Sequence, residues 1–135
     1  MTKFLALSIV APHGKNIAEG RKTIEVRSWM PPRLPLRDVL IVENSVYLTR
    51  EGQTDPEGVG VALVDIDTAE PWRPSQVEAA CSAGWQPGFF AWQLVNVRPL
   101  PIPQAVLAAR KFYEVELDLC CLLYTSPSPR DKRQS

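Results

Sequence analysis

Six segments of strand length, each closed by glycine, proline or a polar cluster, recur between Phe4 and Leu117 and limit this chain to short elements. Phe4–Val10 is an apolar run stopped by Ala11-Pro12. Thr23–Arg27 alternates, with Thr23, Glu25 and Arg27 on one face and Ile24 and Val26 on the other. Val39–Val42 is a continuous β-branched and leucine run, which reads as a strand buried on both faces. Val59–Ile66 alternates but is interrupted by Gly60 and Ala62, where another backbone is expected to approach closely. Phe89–Val97 and Phe112–Leu117 complete the set. His13–Glu19 is predicted as a short helix closed by Gly20, and Pro74–Ala83 as a second, with Gly84 after its end. Met30–Pro35 carries three prolines and is a loop; Tyr47–Gly58 is a polar, hairpin-like connection. The pattern predicts a mainly β (α+β) fold, a small β-barrel of about six strands with two short helices, rather than a parallel α/β sheet. An open α+β sandwich is the alternative.

At 135 residues the chain has room for one domain around one core. Its 15 basic and 15 acidic residues cancel, so any polyanion partner must be met by a local cationic cluster. No apolar run approaches the roughly 18–20 residues that span a bilayer, and Met1–Val10 lacks the pattern of a signal peptide. The three cysteines, Cys81, Cys120 and Cys121, form no CxxC pair, and His13 is the only histidine. That predicts neither a metal site nor a disulfide framework, no cofactor, and a reducing, cytoplasmic setting.

The last residues read differently from the rest. Cys121–Asp131 resembles the in-frame translation of a sequencing adapter, and otherwise reads as an unfolded Ser/Pro linker. On either reading the domain is residues 1–120 and the tail 121–135 is left out of the fold, as an artefact foreign to the protein on the first reading. Setting aside Arg130, Lys132, Arg133 and Asp131 leaves 12 basic and 14 acidic residues, a mildly acidic body.

The chemistry concentrates in Gly20-Arg21-Lys22-Thr23-Ile24-Glu25-Val26-Arg27. Gly20 permits the positive φ that turns a helix end directly into a strand, which fixes Lys22 at the strand entrance. Glu25 and Arg27 follow on one face. Arg suits planar contact with phosphate or a base edge, Lys is a flexible point charge, and Glu accepts from an exocyclic amine. Trp29 just beyond is a possible stacking surface, and Arg21 adds positive charge. The plainer alternative is a solvated strand face, with Glu25 and Arg27 as a surface ion pair worth at most about 1 kcal/mol.

The pattern Gly-x-Lys-x-x-Glu-x-Arg, placed between a helix and a strand, resembles the signature of ASCH domains, a branch of the PUA-like superfamily. The resemblance spans residues 4 to about 117. It implies a small PUA-like β-barrel with a cleft beside its first helix, and a role in binding RNA or modified nucleosides and nucleotides. Some relatives are enzymes. Those that hydrolyse the acyl amide of N4-acetylcytidine use a lysine at the position of Lys22 and a threonine where this chain has Glu25, so the nucleophile is missing here. If the chain is an enzyme, on a modified nucleoside or on RNA, Lys22 and Glu25 are the catalytic pair, with His13 as a possible companion. The expected ligand-facing set is Arg21, Lys22, Glu25, Arg27, Trp29, Asn44 and Trp85. Asn44, with Glu43, ends the buried strand; Trp85 sits in the loop Gly84–Gly88. RNA or nucleotide binding leads, hydrolysis follows, and a protein-interaction module is the third reading. Trp72 and Trp92 read as packing, and Cys81 as a small buried side chain on the second helix.

Overall fold

The apolar runs become the middle of one sheet. The computed structural model describes residues 2–118; Cys120, Cys121 and the tail 121–135 lie outside them. In chain order the elements are β1 (Thr2–Val10), α1 (His13–Ala18), β2 (Ile24–Arg27), β3 (Leu36–Asn44), β4 (Thr54–Asp55), β5 (Val59–Pro71), a 3-10 turn at Pro74–Gln76, β6 (Phe90–Ala105), β7 (Ala108–Ala109) and β8 (Phe112–Leu117). Six strands form a curled half-barrel in the order β2-β6-β5-β3-β1-β8, and β4 pairs with β7 in a small separate ribbon. β1 and β3 run parallel, Ala6 opposite Leu40 through Val10 opposite Asn44; the other pairs are antiparallel.

The mainly β class and the six-stranded sheet match the expectation from the alternating runs. β3 is buried on both faces, as its continuous apolar run requires. Val39 and Ile41 join Leu7, Ile9, Ile17, Val64, Ile66 and Trp92 in the main core, while Leu40 and Val42 pack with Phe4, Ala6, Val106 and Ala108 on the other side. Burying apolar surface on both faces contributes about 25 cal/mol per Å², so this central strand anchors the fold.

Three local expectations change. The helix foreseen over Pro74–Ala83 shrinks to one 3-10 turn followed by irregular turns. The carbonyls that would continue it are taken by the motif segment: Ala79 O accepts from the amides of Thr23 and Ile24, at 2.9 and 3.3 Å, and Ala80 O accepts from Lys22 Nζ. Cys81 consequently sits at φ 53, off any helix, rather than on one. The close backbone approach expected at Gly60 falls instead at Gly58, where an added Cβ would lie 2.3 Å from Val106 O. β5 and β6 both run further than their apolar cores suggest. β6 extends through Pro99, Pro101 and Pro103, which share one side of the strand beyond its pairing with β2 and strip amide donors from an open edge.

Candidate functional site

Gly20, at φ 84, ends α1 and sends the chain back over it, so that the amides of Arg21 and Lys22 both donate to Asn16 O, at 2.9 and 3.1 Å. The chain then enters β2, pinned on β6 with Glu25 opposite Trp92. This route carries the Lys22 side chain inward, where Nζ donates to Ala80 O at 2.5 Å and lies 3.5 Å from Glu25 Oε1. The second oxygen of Glu25 accepts from Arg27 Nε at 2.5 Å, and Arg27 Nη2 reaches across to Ser8 O on β1 at 2.9 Å. Lys22 and Glu25 are only 5% and 8% exposed at their side chains, and Arg27 is 21% exposed. The reading as a solvated surface pair therefore fails: this is a buried cation–carboxylate–cation chain.

Burial by itself would push the Glu25 carboxyl up, but the Arg27 guanidinium and the Lys22 ammonium outweigh it and hold the carboxyl below its ordinary value. Glu25 is thus an anion at neutral pH and a poor proton acceptor. His13, at the start of α1, has its value lowered by burial and by Lys22, against smaller opposite effects of Glu25 and Glu43. Its Nδ1 is buried with no hydrogen-bond partner.

These groups border a cleft of about 570 Å³ at the C-terminal ends of the parallel pair β1–β3. Its lining brings together His13, Lys22, Glu25, Arg27 and the turn Ala80–Ala83 with the turn Ala109–Lys111, Asn44 and Val46–Leu48. Of the residues singled out from sequence, Lys22, Glu25, Arg27, Trp29 and Asn44 meet here. Asn44 is buried and spends its Nδ2 on Val46 O, at 2.5 Å, so it shapes the cleft end as much as it faces it. Trp29 packs edge-on against Trp92 and Phe112, with ring centroids 4.9 and 5.8 Å away, and is half-buried.

Arg21 and Trp85 are not among the residues that line the cleft. The Arg21 guanidinium turns back to Asn16 Oδ1, at 3.3 and 3.1 Å, and pairs with Glu19, because the last turn of α1 offers it nearer acceptors. Trp85 donates its Nε1 to Trp72 O at 3.0 Å and packs beside that ring. Glu43 also stays outside, accepting from the Lys15 amide at 2.8 Å. Sequence reasoning missed Arg110, Lys111 and the exposed Tyr47, all of which line the cleft. The only local cue was the adjacent pair Arg110-Lys111 before β8. Lys111, at φ 57, holds its ammonium 5.5 Å from the Trp29 ring centroid.

Residues 7–104 match the family described as the ASCH domain. The chain belongs to the ASCH domain family. Solved structures similar to this ASCH domain include two mutant forms of ZmASCH from Zymomonas mobilis, each 15% identical. One gives a TM-score of 0.46 over 74% of this chain and 72% of that one; the other gives 0.48 over 78% and 77%. No curated protein matches the chain. Among the described residues no helix is long and apolar enough to cross a membrane, and no group of three or more His, Cys, Asp or Glu is placed to hold a metal ion.

Proposed function

We propose that this ASCH domain binds RNA or a nucleotide in the cleft above the Lys22–Glu25–Arg27 chain. The observation that carries the reading is the charge of the lining: Lys22, Arg27, Arg110 and Lys111 face the cavity with Glu25 as the one carboxylate. On a chain whose 15 basic and 15 acidic residues balance, that is a local field for an anion. Glu25 keeps the two inner cations in place, while Trp29 and Tyr47 offer aromatic surface at the margin.

Hydrolysis of a modified nucleoside is the second reading, and His13 is the observation that favours it. An imidazole held neutral, with an unengaged buried Nδ1, beside the Lys22–Glu25 pair has the protonation state of a general base. Against it stands Glu25, an anion locked between two cations at the position where amide-cleaving relatives carry threonine. Binding is therefore the stronger reading.

The test compares wild type with Lys22→Ala and Arg27→Gln, using short single-stranded RNA and free nucleosides including N4-acetylcytidine, with circular dichroism as a check on folding. Binding that both variants weaken, with a shallower salt dependence in Arg27→Gln, supports the nucleic-acid reading. Release of acetate that Lys22→Ala abolishes moves the conclusion to the hydrolase. No binding and no turnover by a folded wild type removes both.

A further inference from the structure

The cleft does not end at the turn Ala109–Lys111. On the far side of that turn lies a second concavity of about 510 Å³, formed by residues 51–54 and 109–112. Ala109, Arg110 and Lys111 line both cavities. The turn is thus a ridge with a hollow on either side, and its two cations stand between them.

The ridge is firmly built. β7 pairs with β4, Thr54 opposite Ala109 and Asp55 opposite Ala108. From the other side the Ala109 amide donates to Ser8 Oγ at 3.2 Å, and Ser8 Oγ lies 2.7 Å from the Tyr113 hydroxyl. Lys111 is held in the left-handed region by this double anchorage. Arg21, Lys22, Arg27, Arg37, Arg73 and Arg98 are each engaged by a carboxylate. Neither Arg110 nor Lys111 forms a salt bridge among the described residues, and the Lys111 ammonium meets only the face of Trp29. Position distinguishes the ridge cations: Lys3, Lys15, Arg33 and Arg50 also form no salt bridge among the described residues, but of all the described cations Arg110 and Lys111 alone line both hollows. Two cations on a rigid turn between two hollows are arranged for an anion that joins two bulkier neutral groups.

We infer that the ridge binds the phosphate linking two nucleotides of a single strand, with one nucleoside seated in each hollow. The inference rests on the nucleic-acid reading of the cleft and specifies its ligand: a chain of at least two nucleotides. The second hollow suits a neutral base and sugar better than another phosphate. Glu51 lines it, and Gln53 fixes its own Oε1 on the Thr49 and Arg50 amides, at 2.9 and 3.1 Å. Those groups keep the linking phosphate off the floor of the second hollow and leave it to the ridge cations. An acidic peptide also carries anions, but it brings them at side-chain ends and has no planar rings for the aromatic margin of the first hollow.

The experiment measures the affinity of wild type for adenosine, for the dinucleoside monophosphate ApA, and for ApA with a neutral methylphosphonate link, each by calorimetry. The phosphate and the second nucleoside together raise affinity over adenosine on the order of tenfold or more. The neutral link loses most of that gain, and in the double variant Arg110→Gln/Lys111→Gln the ratio of ApA to adenosine affinity falls toward one. Equal wild-type affinities for adenosine and ApA, or a ratio that the double variant leaves intact, overturn the two-hollow arrangement while the single-nucleotide cleft stands. A tetraglutamate peptide that displaces ApA at comparable concentration and depends on the same two residues also overturns it, in favour of a peptide groove. Failure of adenosine, nucleotides and ApA to bind at all removes the nucleic-acid reading together with this one.

Discussion

Replacing Glu25 by glutamine tests the buried charge chain most directly. The side chain keeps its shape, so the change is electrostatic. At 3.5 Å, the attraction between Lys22 and Glu25 is about 5 kcal/mol before desolvation, for an effective dielectric near 20. A glutamine amide offers one oxygen and one NH2 group to two cations, so one of them meets a donor. Arg27 is partly exposed and can turn toward water; Lys22 is sealed and keeps only Ala80 O. Uncompensated buried charges cost about 3–5 kcal/mol, and the remaining carbonyl puts Glu25→Gln near the lower end, about 3 kcal/mol. For a domain of this size that is a fall in Tm of roughly 10 °C. The pH dependence supplies the sign. Because the folded carboxyl titrates below its ordinary 4.5, the unfolded chain binds more protons as pH falls through that range, and wild type loses the Glu25 contribution there. Glu25→Gln has no such contribution to lose, so the stability gap between the two proteins narrows on acidification. Urea unfolding at a series of pH values measures both quantities. A variant within about 0.5 kcal/mol of wild type at neutrality, or a gap unchanged down to about pH 3, would refute the buried chain.

Other consequences can be checked as readily. Asp65→Asn weakens the junction of three strands, where Asp65 accepts from Arg98 at 2.7 Å, from the Asp38 amide at 3.0 Å and from Asn96 at 3.1 Å; urea titration should show a loss of about 2 kcal/mol. Gly58→Ala drives a methyl into Val106 O and toward Val42 Cγ1, 2.3 and 2.9 Å away, and should cost about 2 kcal/mol or more in Tm measurements, whereas an unchanged Tm would mean the β4–β7 ribbon is loosely held. His13, the sole histidine, gives a single imidazole titration by NMR. Its midpoint should lie below the ordinary 6.5, and the unfolded chain, binding more protons between that midpoint and 6.5, should lower stability as pH falls through the window. Tyr113 is pushed up by burial, against its bond to Ser8, so absorbance titration should place its ionisation above the ordinary 10, with stability declining as pH rises through that region.

Much of the sheet was legible because strand signals are local. Val39–Val42 had to be buried on both faces, and Gly20 had to sit at a positive φ, whatever surrounded them. The motif's order was likewise fixed by neighbours: Glu25 and Arg27 share a face because strand side chains alternate. The segment after Pro74 misled for the opposite reason. Its composition favours a helix, but its carbonyls satisfy amides and an ammonium that arrive from residues 22–24, and such a claim on the backbone overrides propensity.

The sequence by itself determined that this chain makes a small curled sheet with Lys22, Glu25 and Arg27 at a helix-to-strand junction. Periodicity and glycine stereochemistry act over a few residues and need no partner. Only the tertiary structure decided which of those charges are buried, that Arg21 and Trp85 serve the scaffold, and that Arg110 and Lys111 line the same cleft as the motif. Burial and convergence depend on contacts between segments far apart in the chain, such as Lys22 with Ala80 and Ser8 with Ala109, which no local pattern encodes.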